Sequence, residues 1–447
     1  MITRTIIKIL PPILRKKVEN NQELRQIMGN INWLTFENIL RNLIGVFVFA
    51  WVARYLGPEQ FGLMNYAVAL VALFSVFSTL GLDNILIREI VSSPEKRKEY
   101  LGSALLLKFI GAFVLIITAT LASYFINSEN TVITFFVFIV SLGYIFKSFD
   151  VIDLWFKSQV KSKYSVYSRA TAFFIVSIIK IILILTQAPL AAFVWMFTLD
   201  FFIASLLLLY FYHRKVSDSI FEWKIKTKTV KNLLKDSWPL MLSGVAVVIY
   251  MKIDQVMIGN MLGEKELGIY SSAVKLSEAW YFVPMIISSS VFPSILRVRK
   301  KSKELYLRRI QMLYDFFTWF TIGVALIVTF LSPFIINILY GSEYAMASTV
   351  LSIHIWAGVF VFLSIANGGY LIPENLTRII FSRTLGGAIL NILLNILFIP
   401  NYGIYGAAFA TLLSQVYSGV LSLFIFKKSR ILFFMIIKSF NIARLLK

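Results

Sequence analysis

The sequence contains no cysteine, and its two histidines, His213 and His354, stand far apart. This composition offers no disulfide framework, no thiolate site and no histidine-rich metal site. The glycine-rich phosphate-binding loop, the nucleophile elbow and the HExxH helix are also absent from the sequence. Because these motifs mark nucleotide motors and hydrolases, we expect no cofactor, no metal and no enzymatic activity.

Charged residues are scarce, at 15%, whereas 58% of the residues are hydrophobic and 40 are Phe. The mean hydropathy of +0.77 exceeds what a soluble chain of this length can hide inside its cores. The sequence therefore predicts a protein whose main solvent is lipid.

Long apolar stretches recur along the whole chain. A helix that crosses about 30 Å of hydrocarbon needs roughly 20 mainly apolar residues, because its backbone polar groups must be satisfied internally. Twelve stretches qualify, and they predict an all-α integral membrane fold. The predicted spans are 33–55, 62–82, 101–124, 132–149, 166–185 and 189–212 in the first half, and 238–258, 268–292, 310–331, 349–371, 379–399 and 404–426 in the second.

The basic residues are distributed very unevenly between the loops. If the spans alternate in direction, 34 of the 44 Lys and Arg fall on one side and only Lys265 falls on the other. By the positive-inside rule the basic side, with both termini, is cytoplasmic. The net charge of +21 therefore indicates contact with anionic membrane lipids, and we expect no nucleic-acid partner.

The longest polar stretch divides the predicted spans into two sets of six. YLGPEQFGLMNYAVAL, from Tyr55, aligns without gaps to MLGEKELGIYSSAVKL, from Met261, at an offset of 206 residues. This offset predicts two parallel repeats with a central site between them. The expected parts are a basic cytoplasmic tail (1–32), a six-helix lobe (33–212), a cytoplasmic linker (213–237), a second six-helix lobe (238–426) and a cytoplasmic or interfacial basic tail (427–447).

A polar stripe lies within the first predicted span. Glu37, Asn38, Arg41 and Asn42 fall on one face of a helix, which should face water or protein because buried charge is costly in lipid. One interpretation is a substrate site in which Arg41 binds an anion. The alternative is a structural pair of Glu37 with Arg41, four residues apart.

The second half carries similar residues. The candidates are Lys252 and Gln255, one turn apart in the seventh span, and Ser271 and Lys275 on one face of the eighth. Together with Arg41 they could surround one cavity suited to an anionic headgroup. The alternative is again structural, with Lys252 paired to Asp254 and Lys275 to Glu278.

We expect the other intramembrane charges to have ordinary structural roles. Lys147, Lys180 and Asp200 are attributed to snorkelling or local pairing. Asp150 and Asp153 are attributed to a solvated helix end. We interpret His354 as a satisfied core residue in preference to a proton relay.

Five segments in order resemble the oligosaccharide flippases, the polysaccharide-transporter branch of the multidrug/oligosaccharidyl-lipid/polysaccharide exporter superfamily. They are ARYLGPEQFGLMNYA, TLGLDNILIREI, KIDQVMIGNMLGEKELGIYSSAVKL, LYGSEYAMASTVLSI and IPNYGIYGAAFATLLSQ. The resemblance covers nearly the whole chain. It implies a MATE-like fold of two six-helix lobes around a cationic cavity.

The same resemblance implies a substrate and a location. The substrate would be an undecaprenyl-pyrophosphate-linked oligosaccharide, flipped across a bacterial inner membrane for O-antigen, capsule or exopolysaccharide synthesis, with a membrane polysaccharide polymerase as a further partner. A cation-coupled multidrug antiporter of the same fold is the main alternative. A membrane-embedded polymerase or glycosyltransferase is disfavoured, because no outer loop is large enough to fold as a domain.

Overall fold

The computed structural model describes residues 22–216, 219–299 and 301–441, and it describes side chains from residue 38 onward, except that of Pro293. Within these ranges the chain is helical and contains no β-strand. Ten helical stretches are long and apolar enough to cross a membrane, which confirms the predicted all-α membrane fold. Two of them, Asn38–Ser92 and Thr377–Ile425, have 55 and 49 residues and each covers two predicted spans. The count of twelve spans stays a prediction.

The chain forms two compact units. Among the described residues, 22–48 and 74–242 make the first unit, and 49–73 and 243–441 make the second. The short segment 49–73 therefore groups with the second unit, although it lies in the first half of the sequence. The two predicted lobes and the linker between them stay a prediction.

The first unit is built from the early helices around a buried aromatic and aliphatic core. Its centre includes Leu82, Leu86, Trp155, Phe156 and Tyr212. The helices are α1 (Gln22–Thr79, of which 49–73 belong to the second unit), α2 (Leu82–Ser92), α3 (Arg97–Ile126), α4 (Thr131–Lys147), α5 (Asp150–Ser158), α6 (Lys163–Leu185), α7 (Leu190–Lys215) and the beginning of α8 (Thr227–Leu262). The helix α1 thus starts inside the predicted basic tail, and α8 starts inside the predicted linker.

The second unit contains the remaining helices, packed around residues such as Ile310, Phe317 and Phe362. They are the rest of α8, then α9 (Glu264–Glu278), α10 (Phe282–Arg299), α11 (Lys303–Tyr340), α12 (Ala347–His354), α13 (Ala357–Leu371), α14 (Thr377–Val416), a π-helix (Tyr417–Leu421), α15 (Ser422–Ile425) and α16 (Arg430–Ser439). Leu432 and Ile436 of α16 are part of this core. The predicted interfacial tail therefore begins as a packed helix, and residues 442–447 lie outside the described part.

Within the second unit, the two segments aligned in the sequence cross at their glycines. A Cβ atom added to Gly62 would lie 1.7 Å from the carbonyl oxygen of Glu264, and one added to Gly268 would lie 1.9 Å from that of Pro58. Pro58 and Glu264 are themselves 206 positions apart, so the two contacts are reciprocal. This symmetry is what a repeat at that offset would produce, and the repeat itself stays a prediction.

Candidate functional site

Arg41 lies where three helices of the first unit meet. Its Nη2 is 3.5 Å from Oδ2 of Asp200 on α7, and its guanidinium carbon is 5.5 Å from the centre of the Phe173 ring on α6. The arginine side chain is 40% exposed and the aspartate side chain 23%. Since 3.5 Å is longer than a charge-assisted hydrogen bond, this is a loose ion pair that leaves donors of Arg41 accessible.

The partner of Arg41 differs from the one that helical spacing suggested. Asp200, 159 positions along the chain, supplies the carboxylate. The side chain of Glu37 lies outside the described side chains, and its pair with Arg41 stays a prediction. Asp200 is therefore in an ion pair, as one of its two sequence explanations had it, and its partner lies on another helix.

The two asparagines of the stripe behave differently from Arg41. Asn42 donates its side-chain amide to the carbonyl oxygen of Asn38 at 2.8 Å, one turn earlier in the same helix. An amide that bonds back to its own helix is a local structural interaction. Asn38 itself is exposed, whereas Arg41 and Asn42 are both partly buried.

Two further cations of the first unit lie over aromatic rings. The Nζ of Lys147 is 4.8 Å from the ring centre of Tyr144 and 5.1 Å from that of Phe201, and the Nζ of Lys180 is 5.1 Å from that of Phe197. Ring faces attract cations within about 6 Å. Lys180 also lies near enough to Asp200 to act on its charge, so this carboxylate faces two cations, which the sequence interpretation missed.

In the second unit, Lys252 pairs with Glu278 and not with its near neighbour in sequence. Its Nζ is 3.9 Å from Oε2 of Glu278, and the two side chains are 30% and 23% exposed. The Nζ of Lys275 lies 5.3 Å from the Phe49 ring centre. The structural alternative of a Lys252–Asp254 pair was therefore wrong.

Asp254 is instead buried in a hydrogen-bonded cluster. It accepts hydrogen bonds from the hydroxyl of Tyr270, from the backbone N–H of Gln255 at 2.8 Å and from the hydroxyl of Thr411 at 3.5 Å. Gln255 and Ser271, both proposed from the sequence as cavity residues, are buried. Of the four second-half candidates, the two lysines are thus the accessible ones.

Two of the lesser charges also have defined roles. Asp153 is buried and pairs with Lys157 at 2.8 Å and with Arg169 at 3.5 Å, so its attribution to a solvated helix end was wrong. His354 is buried, with its Nδ1 2.9 Å from the hydroxyl of Ser277, as expected of a satisfied core residue. No group of three or more His, Cys, Asp or Glu able to hold a metal ion occurs in the described part of the chain.

Comparison with known sequences gives a family and several relatives. Residues 27–299 match a family described as polysaccharide biosynthesis protein. A putative O-antigen transporter of Shigella dysenteriae is 22% identical over 373 residues, 83% of this chain and 92% of the relative. The capsular polysaccharide biosynthesis protein CapF of Staphylococcus aureus is also 22% identical, over 87% of this chain and 96% of its own.

Solved structures share the fold. The lipid II flippase MurJ in an inward closed conformation aligns with a TM-score of 0.69 at 17% identity, over 91% of this chain and 90% of its own. An inward-facing multidrug resistance MATE transporter of the MOP superfamily aligns with a TM-score of 0.72 at 14% identity, over 89% and 96%. At these identities the alignments establish the fold alone, and they confirm the predicted MATE-like architecture.

Proposed function

This chain belongs to the polysaccharide biosynthesis protein family, and on that premise we propose that it flips a lipid-linked oligosaccharide across a membrane. Relatives named as an O-antigen transporter, a capsule biosynthesis protein and a glycan flippase support this proposal. The chain is a multi-pass membrane protein of a transporter fold. The substrate that we propose is an oligosaccharide joined to undecaprenyl pyrophosphate, carried from the cytoplasmic to the outer leaflet of a bacterial inner membrane.

The observation that carries the proposed site is the loose, accessible Arg41–Asp200 pair. A guanidinium binds phosphate oxygens through two parallel hydrogen bonds, which a lysine ammonium cannot reproduce. Asp200 offsets the charge of Arg41 at 3.5 Å. A pyrophosphate brings more charge and more acceptor oxygens than one carboxylate, so it can displace Asp200 from Arg41.

The remaining proposed ligands differ in accessibility. Lys252, 30% exposed beside Glu278, and Lys275 are proposed as further contacts to the anionic headgroup. Asn38 is proposed as an exposed polar contact, and Glu37 stays part of the proposed stripe. We propose that Asn42, Gln255 and Ser271 support these ligands indirectly. The amide of Asn42 bonds within its own helix, and Gln255 and Ser271 are buried.

The proposed orientation places both termini in the cytoplasm, supported by the 34 to 1 distribution of basic residues between the predicted sides. This arrangement exposes the basic loops to anionic lipids on the side where the lipid-linked substrate is made. A polysaccharide polymerase in the same membrane is a proposed partner that would consume the flipped product.

A reconstituted assay tests the function. The purified protein is placed in vesicles with undecaprenyl pyrophosphate bearing a fluorescent oligosaccharide, and the fraction that becomes accessible to an external quencher is followed over time. We expect protein-dependent flipping of this probe and no transport of a cationic dye. Dye transport without flipping would favour the antiporter and overturn the proposal.

A further inference from the structure

A π-helical turn, Tyr417–Leu421, follows α14 within the stretch Thr377–Ile425. Two buried donors hold it, Arg383 from the early part of α14 and Asn367 from α13. The Nε of Arg383 donates to the carbonyl oxygen of Ser418 at 2.7 Å, and the Nδ2 of Asn367 donates to that of Gly419 at 3.0 Å. In a π-turn the backbone N–H bonds five residues back in place of four, so carbonyl groups lose their usual α-helical partners. The hydroxyl of Ser422 also donates to the carbonyl oxygen of Ser418 at 3.1 Å. Together these side chains satisfy carbonyls that lipid could not.

Both donors are themselves fixed. The hydroxyl of Tyr314 donates to Oδ1 of Asn367 at 2.6 Å, which turns the amide nitrogen of Asn367 toward Gly419. The Nη2 of Arg383 also donates to the hydroxyl of Ser364 at 3.0 Å. Arg383 is 4% exposed and Asn367 fully buried, so water does not compete strongly for these bonds.

Arg383 is unusual because its charge has no carboxylate partner among the described residues; its hydrogen bonds go to a carbonyl and a hydroxyl. Removing a charge from water without a counter-ion is expensive, and an ionisable residue inside a membrane is a functional candidate by default. The π-turn it holds is tightly packed, since a Cβ added to Gly387 would lie 2.9 Å from Cβ of Ser418. The turn therefore has little freedom to shift gradually.

One tyrosine connects the π-turn to α8, the helix that carries the candidate ligand Lys252. The hydroxyl of Tyr250 on α8 lies 3.3 Å from the hydroxyl of Ser418. Tyr250 precedes Lys252 by two residues on the same helix. A π-turn contains one residue more than an α-helical turn. Relaxing it to α-helix would therefore rotate its residues by about 100° relative to the neighbouring helix, which would separate Ser418 from Tyr250.

We propose that Arg383 is a positioning residue: by holding the π-turn it fixes Ser418 against Tyr250, and thereby fixes the rotation of α8. That rotation sets the direction in which Lys252, about 200° around the helix from Tyr250, is presented to the substrate. The fixed position of α8 can be tested in the resting protein. The role of Lys252 toward substrate rests on the proposed function.

The first experiment does not depend on transport. In this cysteine-free chain Lys252→Cys provides a single thiol, whose maleimide labelling rate reports the position of that helix face. Adding Arg383→Gln should change the rate about tenfold, the effect of losing one hydrogen bond to a charged group. Adding Tyr250→Phe should change it about fivefold, the effect of losing one hydrogen bond between uncharged groups. Because both act through the same contact, combining them should change it no further. Arg378→Gln, an exposed arginine on the same helix, is the matched control and should leave the rate unchanged.

The second experiment measures flipping of the fluorescent undecaprenyl-pyrophosphate oligosaccharide. Arg383→Gln should raise the apparent KM about tenfold and Tyr250→Phe about fivefold, with a smaller change in maximal rate, and their effects should not add. An unchanged labelling rate in Arg383→Gln, or additive effects of the two changes, would overturn the positioning role. Failure of the wild-type protein to flip the probe would overturn the proposed function alone, because the labelling result stands independently.

Discussion

At the scale of single residues, the roles of Arg41 and Asp200 can be separated by rescue. If Arg41 only neutralises Asp200, then Arg41→Ala is harmful because it strands a partly buried carboxylate, and adding Asp200→Ala should restore flipping. If Arg41 binds pyrophosphate, the double variant stays inactive while folded. We expect flipping by Arg41→Ala to fall more than about tenfold, the loss of a charge-assisted hydrogen bond, with no recovery in the double variant.

Two further variants sharpen this prediction. Arg41→Lys keeps the charge but loses the two-pronged geometry, and we expect it to retain part of the rate. Arg214→Ala removes an exposed arginine near the end of α7 and should be neutral. Flipping at the wild-type rate by the Arg41→Ala, Asp200→Ala protein, measured in the vesicle assay, would show that Arg41 is not a ligand.

The residue scale also shows what spacing along one helix can predict. Arg41 was found from sequence because a charge inside a span is costly and so usually serves a purpose. Its partner Asp200 was missed, because pairing between helices depends on tertiary packing that spacing does not encode. Arg383 could have been identified in the same way, because it is an arginine inside the predicted span 379–399. Nothing in the sequence, however, marks the π-turn that it holds.

At the scale of helices, the glycine crossing of the second unit makes a stability prediction. A methyl group on Gly62 or Gly268 would meet a backbone carbonyl oxygen within 2 Å, and backbone cannot move aside as a flexible side chain can. Overpacking of this kind typically costs about 1–3 kcal/mol. We therefore expect Gly62→Ala and Gly268→Ala each to lower the Tm of the detergent-solubilised protein.

Gly323 supplies the control for this prediction. It lies within α11, and a Cβ added there meets nothing within 4 Å. Alanine is favoured over glycine inside a helix by about 1 kcal/mol, so Gly323→Ala should leave the Tm unchanged or raise it. A Gly62→Ala protein that unfolds at the wild-type temperature would contradict the close crossing.

The helices also explain which boundaries could be predicted. Apolar length located the membrane-crossing stretches, because lipid imposes it directly. It did not reveal that α1 runs through two predicted spans with only Gly57, at φ 71°, departing from helical geometry. It also did not show that the predicted span 268–292 is interrupted between α9 and α10. Such breaks depend on local packing and not on hydropathy.

At the scale of the whole molecule, the topology is tested by labelling from either side. Lys265 is the lone basic residue of the predicted outer loops. We expect Lys265→Cys, in this cysteine-free chain, to react with a membrane-impermeant maleimide added to intact cells. A cysteine replacing Lys96, in a predicted cytoplasmic loop, should react only after the cells are opened. The reverse pattern would invert the orientation.

The orientation in turn sets the energetics of transport. A pyrophosphate-linked sugar carries about two negative charges, and each one that moves outward is driven by an inside-negative potential. At about 100 mV, each such charge releases roughly 2.3 kcal/mol. The potential alone could therefore bias export by several kcal/mol, without a nucleotide motor.

We expect vesicles with an imposed inside-negative potential to flip the fluorescent lipid-linked oligosaccharide outward faster than vesicles in which an ionophore has collapsed the potential. The potential should leave an uncharged lipid-linked analogue unaffected, which provides the control. Equal initial rates for the charged substrate with and without the potential would exclude the electrophoretic mechanism. Coupling to ion exchange would then be the alternative.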